Sequence, residues 1–83
     1  MPLFMDYHHA VPGLTAEAVM DAHRRDLDIQ DAHDVRYLRY WFDEGSGAVF
    51  CLVEAPAADA AVKVHSAAHG LTADELVPVT EGS

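Results

Sequence analysis

Between Ala16 and Leu27 the chain repeats at spacings of three and four, with Ala16, Val19, Met20, His23 and Leu27 in one line and Glu17, Asp21, Arg24, Arg25 and Asp28 opposite. That period is helical, and Thr15 just ahead of it can act as an N-cap, so the pattern predicts a helix reaching about Gln30 with the apolar stripe turned inward. Leu3 to His9 alternates as a strand does, and Val11-Pro12-Gly13 breaks it. Val35 to Asp43 is rich in β-branched and aromatic residues. Glu44-Gly45-Ser46-Gly47 then turns the chain into Ala48 to Glu54, and the two runs read as a hairpin. After Pro56, the Ala-rich segment from Ala57 to about His69 carries Asp59 in its first turn and Gly70 as a C-cap, the marks of a second helix. A last strand, Glu75 to Glu81, contains Pro78, which places it at a sheet edge.

The order βαββαβ predicts a ferredoxin-like sandwich, a four-stranded antiparallel sheet with both helices on one face. A chain of 83 residues fits one domain, 1–83, and leaves no room for a second. The hairpin is apolar on both of its sides. Val49, Cys51 and Val53 alternate with Phe50 and Leu52, and strict alternation places Val35, Tyr37 and Trp41 opposite Leu38, Tyr40 and Phe42. A sheet meeting water would have one polar face, so the expectation is a two-fold homodimer formed through the sheet.

Composition narrows the functional classes. Fourteen acids against five Lys and Arg give a net charge of −9, a field that repels nucleic acid and anionic membranes and attracts cations. No secretory leader pattern and no run long enough to span a bilayer is visible, which points to the cytoplasm. The single cysteine, Cys51, has no CxxC partner, so it is a buried small hydrophobe or at most an isolated ligand.

Six histidines remain, four of them grouped as His8-His9 and His65-x-x-x-His69. Residues four apart on a helix face the same way, and neutral imidazole is a common ligand for borderline transition metals. His23 falls in the apolar stripe of the first helix, with Gln30 near it and Asp26 on its flank. On the second helix Ala58, Val62, His65 and His69 form one stripe. On the first strand Leu3, Met5, Tyr7 and His9 oppose Phe4, Asp6 and His8. With the more apolar set turned to the helices, His9 joins His23, His65 and His69 inside, and Asp6 with His8 faces a dimer partner. A core histidine hydrogen-bonded to Asp26 or to a backbone carbonyl is the alternative at His23, and His33 reads as a loop residue.

The segments Met5-Asp6-x-His8-His9, Ala22-His23-x-x-Asp26-Leu27-x-x-Gln30, Tyr40-Trp41, Phe50-Cys51-Leu52-x-Glu54-Ala55-Pro56 and Val64-His65-x-x-x-His69-Gly70 occur in order. Together, from Pro2 to Glu81, they resemble the small bacterial nickel-binding proteins of ferredoxin-like fold, formerly a domain of unknown function. The resemblance implies a homodimer holding nickel near its subunit interface, with no established reaction. Candidate metal ligands are Asp6, His8, His9, His23, Glu54, His65 and His69, for metal buffering, storage or detoxification. Nitrogen and oxygen donors suit nickel, and also zinc or copper. Two other classes stay open: a small α+β barrel enzyme, isomerase or monooxygenase-like, in which His23 or His65 acts as general base on an organic substrate, and an interaction module without a ligand.

Overall fold

A computed structural model describes residues 1–82. Strand β1 (Leu3–His8) leads to helix α1 (Ala16–Ile29), which tightens into a 3-10 turn over Gln30–His33. The hairpin β2 (Arg36–Asp43) and β3 (Ala48–Glu54), helix α2 (Ala58–Ala68) and β4 (Glu75–Val79) complete the βαββαβ order. The sheet runs β2-β3-β1-β4 with every neighbouring pair antiparallel, the ferredoxin-like arrangement, and β4 with its Pro78 lies at an edge.

Local chemistry accounts for the boundaries. The Thr15 hydroxyl accepts from the Ala18 amide at 3.1 Å and Glu44 accepts from the Ala16 amide at 3.0 Å, so two of the unpaired donors at the start of α1 are satisfied. At the other end Asp34 takes the left-handed conformation (φ 57°), and the Gln30 side chain accepts from the Tyr37 amide at 2.8 Å, carrying the chain straight into β2. Val19, Val35, Tyr37, Val49, Cys51, Val53, Ala55, Ala61 and Val64 form the core between sheet and helices. These are mostly small side chains, and an alanine-rich α2 can therefore lie close to the sheet.

Three expectations about facing are corrected. On β1 it is Phe4, Asp6 and His8 that turn toward the helices, with Asp6 only 1% and His8 7% exposed, while Leu3, Met5, Tyr7 and His9 face outward. The helices are rotated too: α1 buries Val19 and Asp26 and leaves Met20 and Leu27 exposed, and α2 buries Ala61, Val64 and His65 while Val62 is exposed. One cause serves all of them. Asp6, Asp26 and His65 pair with one another, and a buried charge that finds its partner overrides a hydrophobic stripe that can be covered elsewhere.

The third correction is a β-bulge in β2. Tyr37 pairs with Val53 but Arg39 pairs with Leu52, so one residue is left over and the alternation changes parity. Tyr37 and Tyr40 thus both face the helices, and Trp41 faces out beside Phe50. The outer face of the sheet carries Met5, Tyr7, Phe50, Leu52, Trp41 and Val77, with Tyr7 and Phe50 stacked at 4.4 Å between ring centroids.

Gly47 closes the hairpin turn with φ +81°, and its carbonyl accepts from the Val11 amide at 2.9 Å. A Cβ there would sit 3.0 Å from the Val11 nitrogen, whereas at Gly45 it would meet only the Asp43 side chain at 3.6 Å. Gly47→Ala is therefore expected to lower unfolding free energy by about 1–3 kcal/mol in a urea titration, with Gly45→Ala changing it little.

Candidate metal centre

The inward-facing polar residues converge under the middle of the sheet. Asp6 stands at the centre of β1, and its cross-strand neighbour on β3 is Cys51. His65 descends from α2 onto this pair, and its ring is held on both edges: Nδ1 lies 2.9 Å from Asp26 Oδ1 on α1, and Nε2 lies 2.8 Å from Asp6 Oδ2. The Tyr37 ring stacks on His65 at 4.5 Å, and its hydroxyl lies 3.3 Å from Asp6 Oδ2 and 3.1 Å from the Ala61 carbonyl. His8 Nε2 lies 3.5 Å from Asp6 Oδ1. Neither the His65 Nε2 contact with Asp6 Oδ2 nor the His8 contact with Asp6 Oδ1 is aligned as a hydrogen bond, which leaves His65 Nε2 and Asp6 Oδ1 buried without an aligned partner.

His69, one turn beyond His65 on α2, completes a second group. Its Nε2 lies 3.1 Å from Asp26 Oδ1 and 3.2 Å from His65 Nδ1, so with the 2.9 Å contact these three atoms form a nearly equilateral triangle. For metal–donor bonds of about 2.1 Å, cis donors in an octahedron are about 3.0 Å apart and donors in a tetrahedron about 3.4 Å apart. The triangle matches one face of an octahedron. Asp26, His65 and His69 all line a cavity of about 70 Å³, shared with His8, His23 and apolar residues such as Val11, Leu14 and Leu71. That is room for water molecules on the open side of the triangle, given ~30 Å³ as the liquid share of each.

Electrostatics favours a cation in the interior. Burial would lower the basicity of His65, but the hydrogen bond to Asp26 and the contact with Asp6 outweigh it and push its pKa up to about 9. Burial likewise raises the carboxylates, yet the histidines outweigh it: His65 and His8 hold Asp6 well below the usual carboxylate range, and His65 with His69 lower Asp26. Near neutral pH Asp6, Asp26 and His65 therefore hold two anions and one cation, a buried deficit of one positive charge among the three. Burial and the nearby Asp6 carboxylate push the Cys51 thiol up.

Of the seven residues singled out as ligands, Asp6, His8, His65 and His69 come together here. His23 lines the same cavity but packs its ring against Tyr40 at 4.8 Å and joins neither group; burial lowers its pKa. His9 lies on the outer side of β1, exposed and paired with Glu75, and Glu54 sits at the outer end of β3, 3.5 Å from Arg36. Asp26 and Cys51, which join these groups, were not among the seven, Cys51 having been read as a buried small hydrophobe or at most an isolated ligand. Asp26 could have been found from its spacing of seven after Val19, which repeats the helical face, whereas nothing local marks Cys51 as the neighbour of Asp6.

Fold and cluster together define a small ferredoxin-like domain with a metal-binding-capable His/Asp group in its interior. The chain belongs to the SCO4226-like family of nickel responsive proteins, whose profile matches residues 4–79. It is also similar to SCO4226 from Streptomyces coelicolor A3(2): that crystal structure aligns with a TM-score of 0.90 at 36% identity, covering 98% of this chain and 99% of the other. A search of curated proteins finds no match.

The raised His65 pKa makes the metal-free protein pH-sensitive. A histidine whose folded pKa lies above its unfolded value stabilises fully below the unfolded value, here 6.5, and loses that contribution as pH rises through about 9. Denaturant titrations of metal-free protein should show stability falling by up to about 3 kcal/mol across that window. A His65→Gln variant should be less stable throughout and lack the slope.

Proposed function

We propose that this protein binds nickel in its interior through Asp26, His65 and His69, with Asp6 and His8 behind them, and serves in the cytoplasm to buffer, store or detoxify the metal. The observation that carries the reading is the triangle of Asp26 Oδ1, His65 Nδ1 and His69 Nε2, open on one side to a cavity. Three protein donors on one face leave three octahedral positions for water, an arrangement nickel accepts readily. Asp6, 2.8 Å from His65 Nε2, then holds the ring in place and supplies negative charge. The match to a nickel responsive family supports the choice of nickel over zinc or copper. The enzymatic alternative fits less well, because His65, clasped between two carboxylates, is a proton donor near neutral pH and not a free base.

The outer face of the sheet, with Trp41 and Val77 each 49% exposed, is where we place a second copy of the chain. On that face His9 beside Glu75 and Glu54 beside Arg36 can hold an ion only in company with groups from the partner. Among the described residues no helix is long and apolar enough to cross a membrane.

Calorimetric titration of metal-free protein tests the site. Wild type should take up nickel, and His69→Ala and Asp26→Asn should each weaken it by ~100-fold or more, while His9→Ala leaves the interior ion unaffected. No uptake by wild type would sink the reading. Binding must also displace the His65 proton, so apparent affinity should keep rising from pH 6.5 to about 9 instead of levelling off just above the ordinary histidine pKa.

Sedimentation tests the assembly. The protein should run as a dimer at micromolar concentration, and Leu52→Lys should dissociate it, since an unpaired charge buried in an interface costs several kcal/mol. A monomeric wild type would remove the partner from the outer face.

A further inference from the structure

His65 belongs to two donor groups at once. Besides the triangle, one atom from each of Asp6, His8, Cys51 and His65 lies within 4.8 Å of the others, all four residues buried. This inner group contains the two polar atoms that lack an aligned partner, Asp6 Oδ1 and His65 Nε2, in residues 1% and 2% exposed. Unsatisfied atoms of this kind, aimed at a thiol and a second imidazole, mark a place where an ion would repair a deficit.

We propose that Asp6, His8, Cys51 and His65 form a second metal site, selective for a thiophilic ion such as zinc or cadmium, which excludes the nickel site because both need the His65 ring. Two considerations, charge and geometry, support it. A divalent ion held by one carboxylate, one thiolate and two neutral imidazoles has no net charge, which suits full burial. Four protein donors close a tetrahedron, the geometry of zinc, and drawing atoms within 4.8 Å to tetrahedral spacing takes movements of about 1 Å. The triangle of Asp26, His65 and His69, with no sulfur and an open side, keeps the preference for nickel.

Exclusion follows from the imidazole itself. A neutral ring has one lone pair on one nitrogen and a proton on the other. When Nε2 binds the inner ion, Nδ1 carries the proton and donates it to Asp26 at 2.9 Å; when Nδ1 binds the outer ion, the proton sits on Nε2, 2.8 Å from Asp6. Each carboxylate is a ligand in one state and the orienting partner of the histidine in the other. The two occupancies are therefore alternative tautomers of one side chain.

The competition part rests on the nickel reading given above; the inner site does not. Metal-free protein titrated with cadmium chloride should develop a thiolate-to-cadmium charge-transfer band that saturates at a single ion per chain. Cys51→Ser should lose that band and keep nickel uptake, and His69→Ala should keep the band and lose nickel uptake. Nickel-saturated protein should gain the band only as nickel is released. Absence of the band in wild type, a measurement that needs no variant, overturns the inner site, as does its persistence in Cys51→Ser. Cadmium and nickel bound together at full occupancy overturns the exclusion. A cadmium band with no nickel uptake overturns the nickel reading and leaves the thiolate site standing.

Discussion

The fold depends on one clasp: the His65 ring held between Asp6 and Asp26, residues of α2, β1 and α1 respectively. Each of the three is at most 2% exposed, and ion groups removed from water in this way are costly to break, about 3–5 kcal/mol when one member is lost. With mostly small side chains elsewhere in the core, no other contact among the described residues ties both helices to β1 so specifically. The clasp sets which edge of each helix faces the sheet and which side of β1 faces the helices. It also keeps donors for a cation in position before any cation arrives, so little ordering has to accompany binding.

Much of this architecture was legible in the sequence. Thr15 and Gly70 bracket the helices, Glu44 to Gly47 makes the hairpin turn, and Pro78 marks the edge strand, because caps, turns and edges are decided by local chemistry. The facing of the elements was not legible. Hydrophobic periodicity assumes that apolar side chains go inside, and here Met20, Leu27 and Met5 stay outside so that Asp26 and Asp6 can go in. The histidine pair on α2 could be seen from spacing alone. Its carboxylate partners could not, because they come from elements 39 and 59 residues away, brought near only by the sheet and helix packing.

The outward apolar set has a role of its own. Tyr7 stacked on Phe50, with Leu52, Met5 and Trp41 around them, forms an apolar patch on the outer face. A net charge of −9 disfavours the approach of two copies at long range, so the proposed dimer would have to rest on burial of this patch. The domain thereby separates its chemistry by side, polar donors beneath the sheet and apolar surface above it.

The bulge between Tyr37 and Arg39 is what permits that separation on β2. Before it, odd-numbered residues face the helices; after it, even-numbered ones do. Regular pairing through this point with every residue kept would exchange the two faces of everything downstream, sending Trp41 into the core and Tyr40 onto the outer surface. In evolutionary terms, a single-codon deletion of Leu38 would straighten β2 and keep both of its faces, so this is a position where the strand can change its length by one residue without losing its pattern.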